Sequence, residues 1–391
     1  MHGRRVDEIT VEDSNNAAGP TKLGEEGNAR AAAAFSELTS TKRGLKQRHV
    51  QMIALAGTIG TGLFLGTGKA LARGGPLGIL ISYCIVGLLI CCVVFSVAEL
   101  SALAPLSGGI IRHAEWFVDP ALSFAQGWNS VYANAILLPA EMVACAVIID
   151  YWTPINHAVW ITVLGGLLVL SNMCLISIYG ELEFAFAMMK IALIVGVNIM
   201  VRSPHPSASQ TQSGTRAPNS ISQSLCITVG AGPRGEPIGF RYWRNPGPFV
   251  QFLGIGGSWG RFLGFWRVMS SAAYAYSNVE NVSVAAAETQ NPRHNIPKAA
   301  KRVFWRTMIF FVITVFFIGL TVSSADKGLM ARSGDAGASP FAIAATNAGI
   351  KVVPSIINAA VVTSAWSAGN SGKQAHAQSI EPTIKRTRAS V

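Results

Sequence analysis

The sequence predicts an all-α, polytopic membrane protein, and two observations carry this prediction. Half of the 391 residues are hydrophobic, 13% are charged and the mean hydropathy is +0.38, whereas about a quarter of the residues in a typical soluble domain are charged. The apolar residues also fall into blocks of roughly 20, the length at which a helix crosses a hydrocarbon core ~30 Å thick. Backbone that crosses lipid must satisfy its own hydrogen bonds, so these blocks predict a bundle of helices.

Eight apolar blocks are separated by polar connections. Their approximate limits are 51–72, 77–103, 123–150, 157–178, 184–201, 262–287, 304–324 and 341–366. Basic clusters precede the first block and follow the sixth, and both are cytoplasmic if the N-terminus is inside and every block crosses once. We therefore expect a multi-pass membrane protein with a cytoplasmic N-terminus.

The formal net charge of +11 does not point to nucleic acid. The cations lie mainly between the blocks, and they lack the interleaved aromatic residues that a single-strand binding groove requires. Arg293, Lys298 and Arg302 are interpreted as a solvated cytoplasmic face that sets orientation. We expect no nucleic-acid partner.

Three segments fall outside the predicted bundle. Residues 1–48 have mixed charge and no apolar targeting core, which is typical of a disordered cytoplasmic tail. Residues 201–224 are rich in Ser, Gln, Thr, Gly and Pro and interrupt what would otherwise be one full-length helix, so they are either a foreign insert, such as a retained intron, or a long loop. Residues 372–391 form a basic tail after the eighth block.

The first block contains four glycines between Ala56 and Gly66. Gly62 and Gly66 have the spacing of a close helix-packing motif, but Gly57 and Gly60 lie on other helix faces. A glycine-rich nucleotide loop would need a preceding strand and a βαβ unit, which the surrounding sequence does not predict. We therefore predict a helix that unwinds in mid-membrane and presents free backbone groups to a polar ligand, as in secondary transporters.

The sixth block contains a matching interruption at Asn278, Glu280 and Asn281. A charged side chain at the bilayer centre costs from about 2.5 kcal/mol upward, so an ionisable residue there usually has a function. Glu280 is therefore a site candidate. The alternative is a protonated residue that hydrogen-bonds a neighbouring helix.

Several motifs give the sequence a family resemblance. Arg48-His49-Val50-Gln51-Met52-Ile53-Ala54 is followed by Gly60-Thr61-Gly62-Leu63-Phe64, and further matches are Gly127-Trp128-Asn129, Pro139-Ala140-Glu141, Gly180-Glu181-Leu182-Glu183-Phe184, Gly239-Phe240-Arg241-Tyr242-Trp243 and Asn291-Pro292-Arg293. Over about residues 42–371, apart from 201–224, the sequence resembles the fungal amino-acid permeases of the amino acid-polyamine-organocation (APC) superfamily.

The resemblance implies a LeuT-like inverted-repeat bundle with broken first and sixth helices. Such proteins have two five-helix repeats and two further helices, so this chain would be incomplete after its eighth helix. The implied domain is an amino-acid permease transmembrane domain over residues 49–371. The implied activity is proton-coupled import of amino acids across the plasma membrane.

The resemblance also implies a substrate site. Thr58, Ile59, Gly60, Thr61 and Gly62 would receive the substrate carboxylate, and the sixth helix would present carbonyl groups to the ammonium group. An exposed helix N-terminus attracts an anion and a C-terminus attracts a cation, which agrees with this arrangement. The residues implied in the sixth helix are Tyr274, Ala275, Ser277 and Asn278.

Three buried ionisable residues are candidates for proton coupling or gating. Lys190 matches a family lysine that resembles a replacement for the sodium ion of related carriers. Glu141 follows Pro139 in the third block, and Glu280 lies in the sixth. Each is alternatively a structural hydrogen-bonding partner.

The expected partners are an amino-acid substrate, protons and the lipid bilayer, with no cofactor and no metal. An enzyme is not expected, because the sequence has no metal cluster, nucleophile elbow or phosphate loop in a suitable context. Two alternatives to transport remain: a permease-like amino-acid sensor, and a truncated product without function.

Overall fold

The computed structural model describes residues 60–106, 108–153, 155–174, 185–193, 239–277, 279, 291–330, 339–347, 352 and 354–369. All of them belong to one unit of the chain, Lys42–Val391. The predicted tails at 1–48 and 372–391 and the segment 201–224 lie outside the described residues, so those expectations stay predictions.

Helices make up the regular structure of the described residues. They are α1 (Thr61–Phe64), α2 (Gly66–Leu103), α3 (Ile110–Phe117), α4 (Pro120–Ile149), α5 (His157–Cys174), α6 (185–193), α7 (Arg241–Arg244), α8 (Gly257–Ala275), α9 (Pro292–Thr321), α10 (Pro340–Asn347) and α11 (354–369), with 3₁₀ turns at Phe252–Gly254 and Lys327–Leu329. Within the described ranges, α2, α4 and α9 are long and apolar enough to cross a membrane, and α5 has a shorter apolar stretch, His157–Leu170. The predicted all-α membrane fold is confirmed.

Gly75 interrupts α2 in the gap predicted between the blocks 51–72 and 77–103. Its backbone angles (φ 77°, ψ 170°) are not helical, so two helical segments meet at a kink there instead of being joined by a loop. Pro76 disfavours a helical conformation at the residue before it, and glycine adopts positive φ without steric penalty. The Gly75-Pro76 pair therefore bends the chain in the space of one residue.

The eighth predicted block, 341–366, was wrong as a single helix. The structure divides it into α10, which ends at Asn347, and α11, which begins at Pro354. Proline is favoured in the first turn of a helix because the missing N–H would be unpaired there anyway. Pro354 thus starts a new helix.

The predicted breaks in the first and sixth helices fall at the edge of the described residues. Gly60 is extended (φ −130°, ψ −159°) and is followed by the four-residue α1. α8 ends at Ala275, inside the block predicted to run from 262 to 287. Residues 51–59 and 280–290, which would complete both breaks, lie outside the described part of the chain, so the breaks stay predictions.

The backbones of α2 and α8 come close together at two glycines. A Cβ on Gly74 would lie 2.5 Å from Cγ2 of Val268, and a Cβ on Gly264 would lie 2.7 Å from the carbonyl oxygen of Val250 and 2.9 Å from that of Arg73. The segment before α8 also pairs with the bend in α2, because the amide of Leu77 donates to the carbonyl of Pro248 at 3.0 Å. Small residues therefore fix how α8 packs on α2.

α9 runs antiparallel to the second half of α2. Near its C-terminus, a Cβ on Gly319 would lie 3.0 Å from Cβ of Pro76. Near its N-terminus, the ring of Phe304 packs edge-on against Phe95, with centroids 5.8 Å apart. The start of α9 and the end of α2 therefore lie at the same end of the bundle.

The short helix α3 connects α2 to α4 outside these membrane-crossing helices and buries His113, which is 4% exposed. Nε2 of His113 donates to the carbonyl oxygen of Ala104 at 2.8 Å, and Nδ1 is buried without a hydrogen-bond partner among the described residues. Burial lowers the pKa of His113, and the hydrogen bond to Ala104 opposes that effect. The folded state therefore favours the neutral imidazole.

Acid is expected to destabilise the α2–α3 connection through His113. Because the folded pKa is lowered, this contribution to stability is present above the unfolded pKa of ~6.5 and is lost as pH falls through the folded pKa. The melting temperature of the purified chain in detergent, compared at pH 7.5 and pH 5.5, measures the loss. His113→Gln, which can still donate to Ala104, should show a smaller loss, and an equal loss in both proteins would contradict the assignment.

Gly264→Ala is expected to destabilise the fold by about 1–3 kcal/mol, the usual cost of overpacking. The added methyl would meet two backbone carbonyl oxygens, which cannot rotate away as a side chain can. Gly166→Ala in α5 is the matched control, since its Cβ would meet nothing within 4 Å and alanine favours a helix over glycine by about 1 kcal/mol. Thermal unfolding should show opposite shifts for the two variants; similar shifts would refute the packing argument.

Candidate functional site

A buried carboxylate connects three helices. Glu141 lies in α4, two residues after Pro139, and is 3% exposed. Its Oε1 accepts a hydrogen bond from Oγ1 of Thr61 in α1 at 2.9 Å and one from the hydroxyl of Tyr274 in α8 at 3.3 Å. α1, α4 and α8 therefore meet at one oxygen atom.

A buried lysine adds positive charge near this carboxylate. Lys190 in α6 is 2% exposed and interacts electrostatically with Glu141. The second carboxylate oxygen, Oε2, is buried and accepts no hydrogen bond within the described part of the chain. A buried charge is costly unless it is paired and hydrogen-bonded, and Lys190 and the hydroxyl groups of Thr61 and Tyr274 offset part of this cost for Glu141.

One glycine of the predicted substrate-binding stretch lets α1 approach α8 closely. A Cβ on Gly62 would lie 2.9 Å from Cα of Ala275, which is too close for a side chain. A Cβ on Gly60 would lie 3.4 Å from both Oε1 of Glu141 and Cβ of Ala368, an ordinary van der Waals contact. Gly66 approaches only its own chain, at the carbonyl of Thr61. Gly62 thus serves close packing, whereas Gly60 simply borders the site.

The structure brings together five of the residues that the sequence predicted for substrate binding: Gly60, Thr61, Gly62, Tyr274 and Ala275. Ser277 lies one turn further on, and its hydroxyl donates to the carbonyl of Tyr274 at 2.8 Å, as does its amide at 3.2 Å. That carbonyl, one of those expected to receive the ammonium group, therefore accepts two hydrogen bonds from Ser277. Thr58, Ile59, Asn278 and Glu280 lie outside the described residues.

α11 forms a wall of the site that the sequence did not indicate. Ala368 faces Gly60, and a Cβ on Gly369 would lie 3.2 Å from Cε of Met142 and 3.8 Å from Cβ of Glu141. One turn along α4, the thiol of Cys145 lies 3.6 Å from the carbonyl of Val362. The three consecutive small residues Ser367, Ala368 and Gly369 were the available signal, since small residues allow helices in membranes to approach closely.

Fold and site together define a class of protein: a multi-pass helical membrane protein with a buried polar cluster between its helices. The profile of one family, described as "Amino acid permease", matches residues 49–380. The chain belongs to the amino acid permease family, whose members are transporters and not enzymes.

Curated relatives are similar over most of this chain. A dicarboxylic amino acid permease of Saccharomyces cerevisiae is 35% identical over 86% of this chain and 52% of its own length. The general amino-acid permease GAP2 of Candida albicans is 36% identical over 92% of this chain and 57% of its own length. A proline-specific permease of Emericella nidulans is 35% identical over 86% of this chain and 58% of its own length. The chain thus spans little more than half the length of these relatives.

Thr61→Val is expected to destabilise the site by about 1–3 kcal/mol, because it removes one of the two hydrogen bonds to a buried carboxyl oxygen. Thr61→Ser keeps the hydroxyl and is the matched control. Thermal unfolding of both variants in detergent gives the comparison. Equal losses would mean that packing of the Thr61 methyl group, and not its hydrogen bond, matters.

Proposed function

We propose that these helices form the substrate and proton site of a proton-coupled amino-acid importer in the plasma membrane. One observation carries the proposal: a buried carboxylate, Glu141, is held by hydroxyl groups from α1 and α8 and lies near the buried Lys190. Membership of the amino acid permease family supports amino acids as the transported class.

The substrate is proposed to bind along α1 and the end of α8. Backbone amides from residue 58 to Gly62 would receive its carboxylate, and carbonyl groups from Tyr274 to Ser277 its ammonium group. Ser277 would have to release the carbonyl of Tyr274 for that carbonyl to take part. The aromatic ring of Tyr274, which is 41% exposed, would cover the bound substrate.

Proton coupling is proposed to use the two oxygens of Glu141 differently. Oε1 holds Thr61 and Tyr274, whereas Oε2 has no hydrogen-bond partner among the described residues and would take the proton. Protonation would remove the attraction between Glu141 and Lys190 and weaken the hydrogen bonds from α1 and α8, because bonds to an ionised acceptor are the stronger ones. The charge of one carboxyl group would thus control whether α1, α6 and α8 stay attached to α4. Glu280 is proposed as a second proton-coupling or gating residue.

Uptake of labelled amino acids by yeast lacking its own permeases tests the proposal. Three chains are compared: the chain as it is, a chain without residues 201–224, and a chain that also carries the C-terminal half of a relative. Uptake that rises with an inward proton gradient in any of them supports the importer. Amino-acid-dependent signalling without uptake would favour a sensor, and neither activity in any form would refute both.

Glu141→Gln is expected to lower uptake at least tenfold and to flatten its dependence on external pH. Glutamine keeps the size of the side chain and can still accept from Thr61 and Tyr274, but it cannot take up a proton. Initial uptake rates between pH 4.5 and pH 7.5 measure both effects. Glu115→Gln in α3, which removes a partly buried ion pair with Arg112 away from the site, is the matched control; a Glu141→Gln variant with an unchanged pH profile would exclude Glu141 from coupling.

A further inference from the structure

The first four turns of α9 have two opposite faces. The apolar face packs in a core cluster with α2 through Ile296, Ala299, Ala300 and Val303. The other face is exposed and carries five cationic side chains. They are Arg293, Lys298, Lys301, Arg302 and Arg306. We call this exposed surface the basic face.

No carboxylate neutralises the basic face among the residues that the structure describes. Its five cations take part in no ion pair there, and Glu99, which lies at the same end of α2, forms none with them. Lys298 instead lies 2.7 Å from Nε2 of His294, which accepts its hydrogen bond. The five charges of the basic face are therefore exposed at the surface of the described part of the chain and are not neutralised by it.

Position and neighbours set the basic face at a membrane boundary. It comes directly before the apolar part of α9, which is one of the helices able to cross a membrane. Trp305, 46% exposed, lies on the same face, and tryptophan is enriched where a helix meets the lipid headgroups. In the topology proposed above, this boundary is the cytoplasmic one.

We propose that the basic face binds the headgroups of anionic phospholipids in the cytoplasmic leaflet. Clusters of four to eight cations directly beside a membrane helix attract such lipids, with about 1 kcal/mol from each cation near the surface. The face has five cations in the required place, together with an aromatic residue at the depth of the headgroups. The surface that appeared from sequence to set orientation alone is thereby also a lipid site.

The test compares lipid preference in vesicles. The full chain is reconstituted in phosphatidylcholine containing a small fraction of brominated lipid, either phosphatidylserine or phosphatidylcholine, and quenching of tryptophan fluorescence is measured. Brominated phosphatidylserine is expected to quench more strongly at equal mole fraction. Raising the salt concentration from 0.1 M to 0.5 M should reduce the difference, because salt screens exposed charges.

The decisive variant neutralises three cations: Lys298→Gln, Lys301→Gln and Arg302→Gln. The apparent affinity for phosphatidylserine should fall by about ten- to a hundredfold, since three contributions of about 1 kcal/mol correspond to about a hundredfold. The matched control is Arg244→Gln, Arg261→Gln and Arg267→Gln, three exposed arginines of α7 and α8. Its preference for phosphatidylserine should be unchanged.

Three results would overturn the proposal. The first is an unchanged preference for phosphatidylserine in the basic-face variant, and the second is an equal loss of preference in the control. The third is the absence of any preference in the original chain. If polyglutamate then binds through the basic face, an acidic protein partner is indicated. Circular dichroism and gel filtration establish that each variant is folded. The proposal takes its membrane orientation from the proposed function, but lipid preference is measured without uptake. Binding of phosphatidylserine together with no uptake by any of the three chains compared above would therefore refute the proposed function alone.

Discussion

The hydrogen bond between the hydroxyl of Thr61 and the buried carboxyl group of Glu141 fixes the N-terminal end of α1 against α4. A helix of four residues has no stability of its own, because helix nucleation is unfavourable and short helices depend on tertiary contacts. α1 is held at one end by the 2.9 Å bond to Glu141, and Phe64 at its other end packs edge-on against Phe341 of α10. The proposed ligand backbone is therefore positioned from outside, and a change in the charge of Glu141 acts directly on it.

Close packing of small residues is the second constraint. Gly62 and Gly264 each stand where a methyl group would come within 3.0 Å of a backbone atom. The approach at Gly62 brings α1 within reach of α8. The polar site between the helices exists because the backbones around it are near enough for short side chains to bridge them.

Much of this arrangement was predictable from the sequence. Block lengths gave the helical membrane fold, and the polar residues Glu141 and Lys190 stood out because charges are rare in apolar helices. Their proximity was not predictable from the residues alone, since 49 positions separate them and apolar periodicity does not specify which helices are neighbours. The wall formed by Ala368 and Gly369 was missed because small apolar residues carry no chemical signal.

Proline lies at both of the helix boundaries that the apolar blocks bring into question. The blocks 51–72 and 77–103 are separated by a gap that contains Gly75 and Pro76, where the structure interrupts the helix. The block 341–366 was wrong as one helix, because hydropathy counts apolar residues and ignores backbone geometry at Pro354. Local backbone rules, applied together with hydropathy, would have placed this second boundary.

The conformation of Gly75 has a genetic consequence. Its dihedral angles belong to a region open essentially to glycine alone, and any Cβ there would lie 2.6 Å from the carbonyl oxygen of Pro248. Every missense change of a glycine codon by a single nucleotide introduces a Cβ. After selection for folded protein, a saturation library of this gene should therefore be depleted of missense alleles at codon 75. A Cβ on Gly165 or Gly166 would face open space, so these two codons should accept alanine and serine freely.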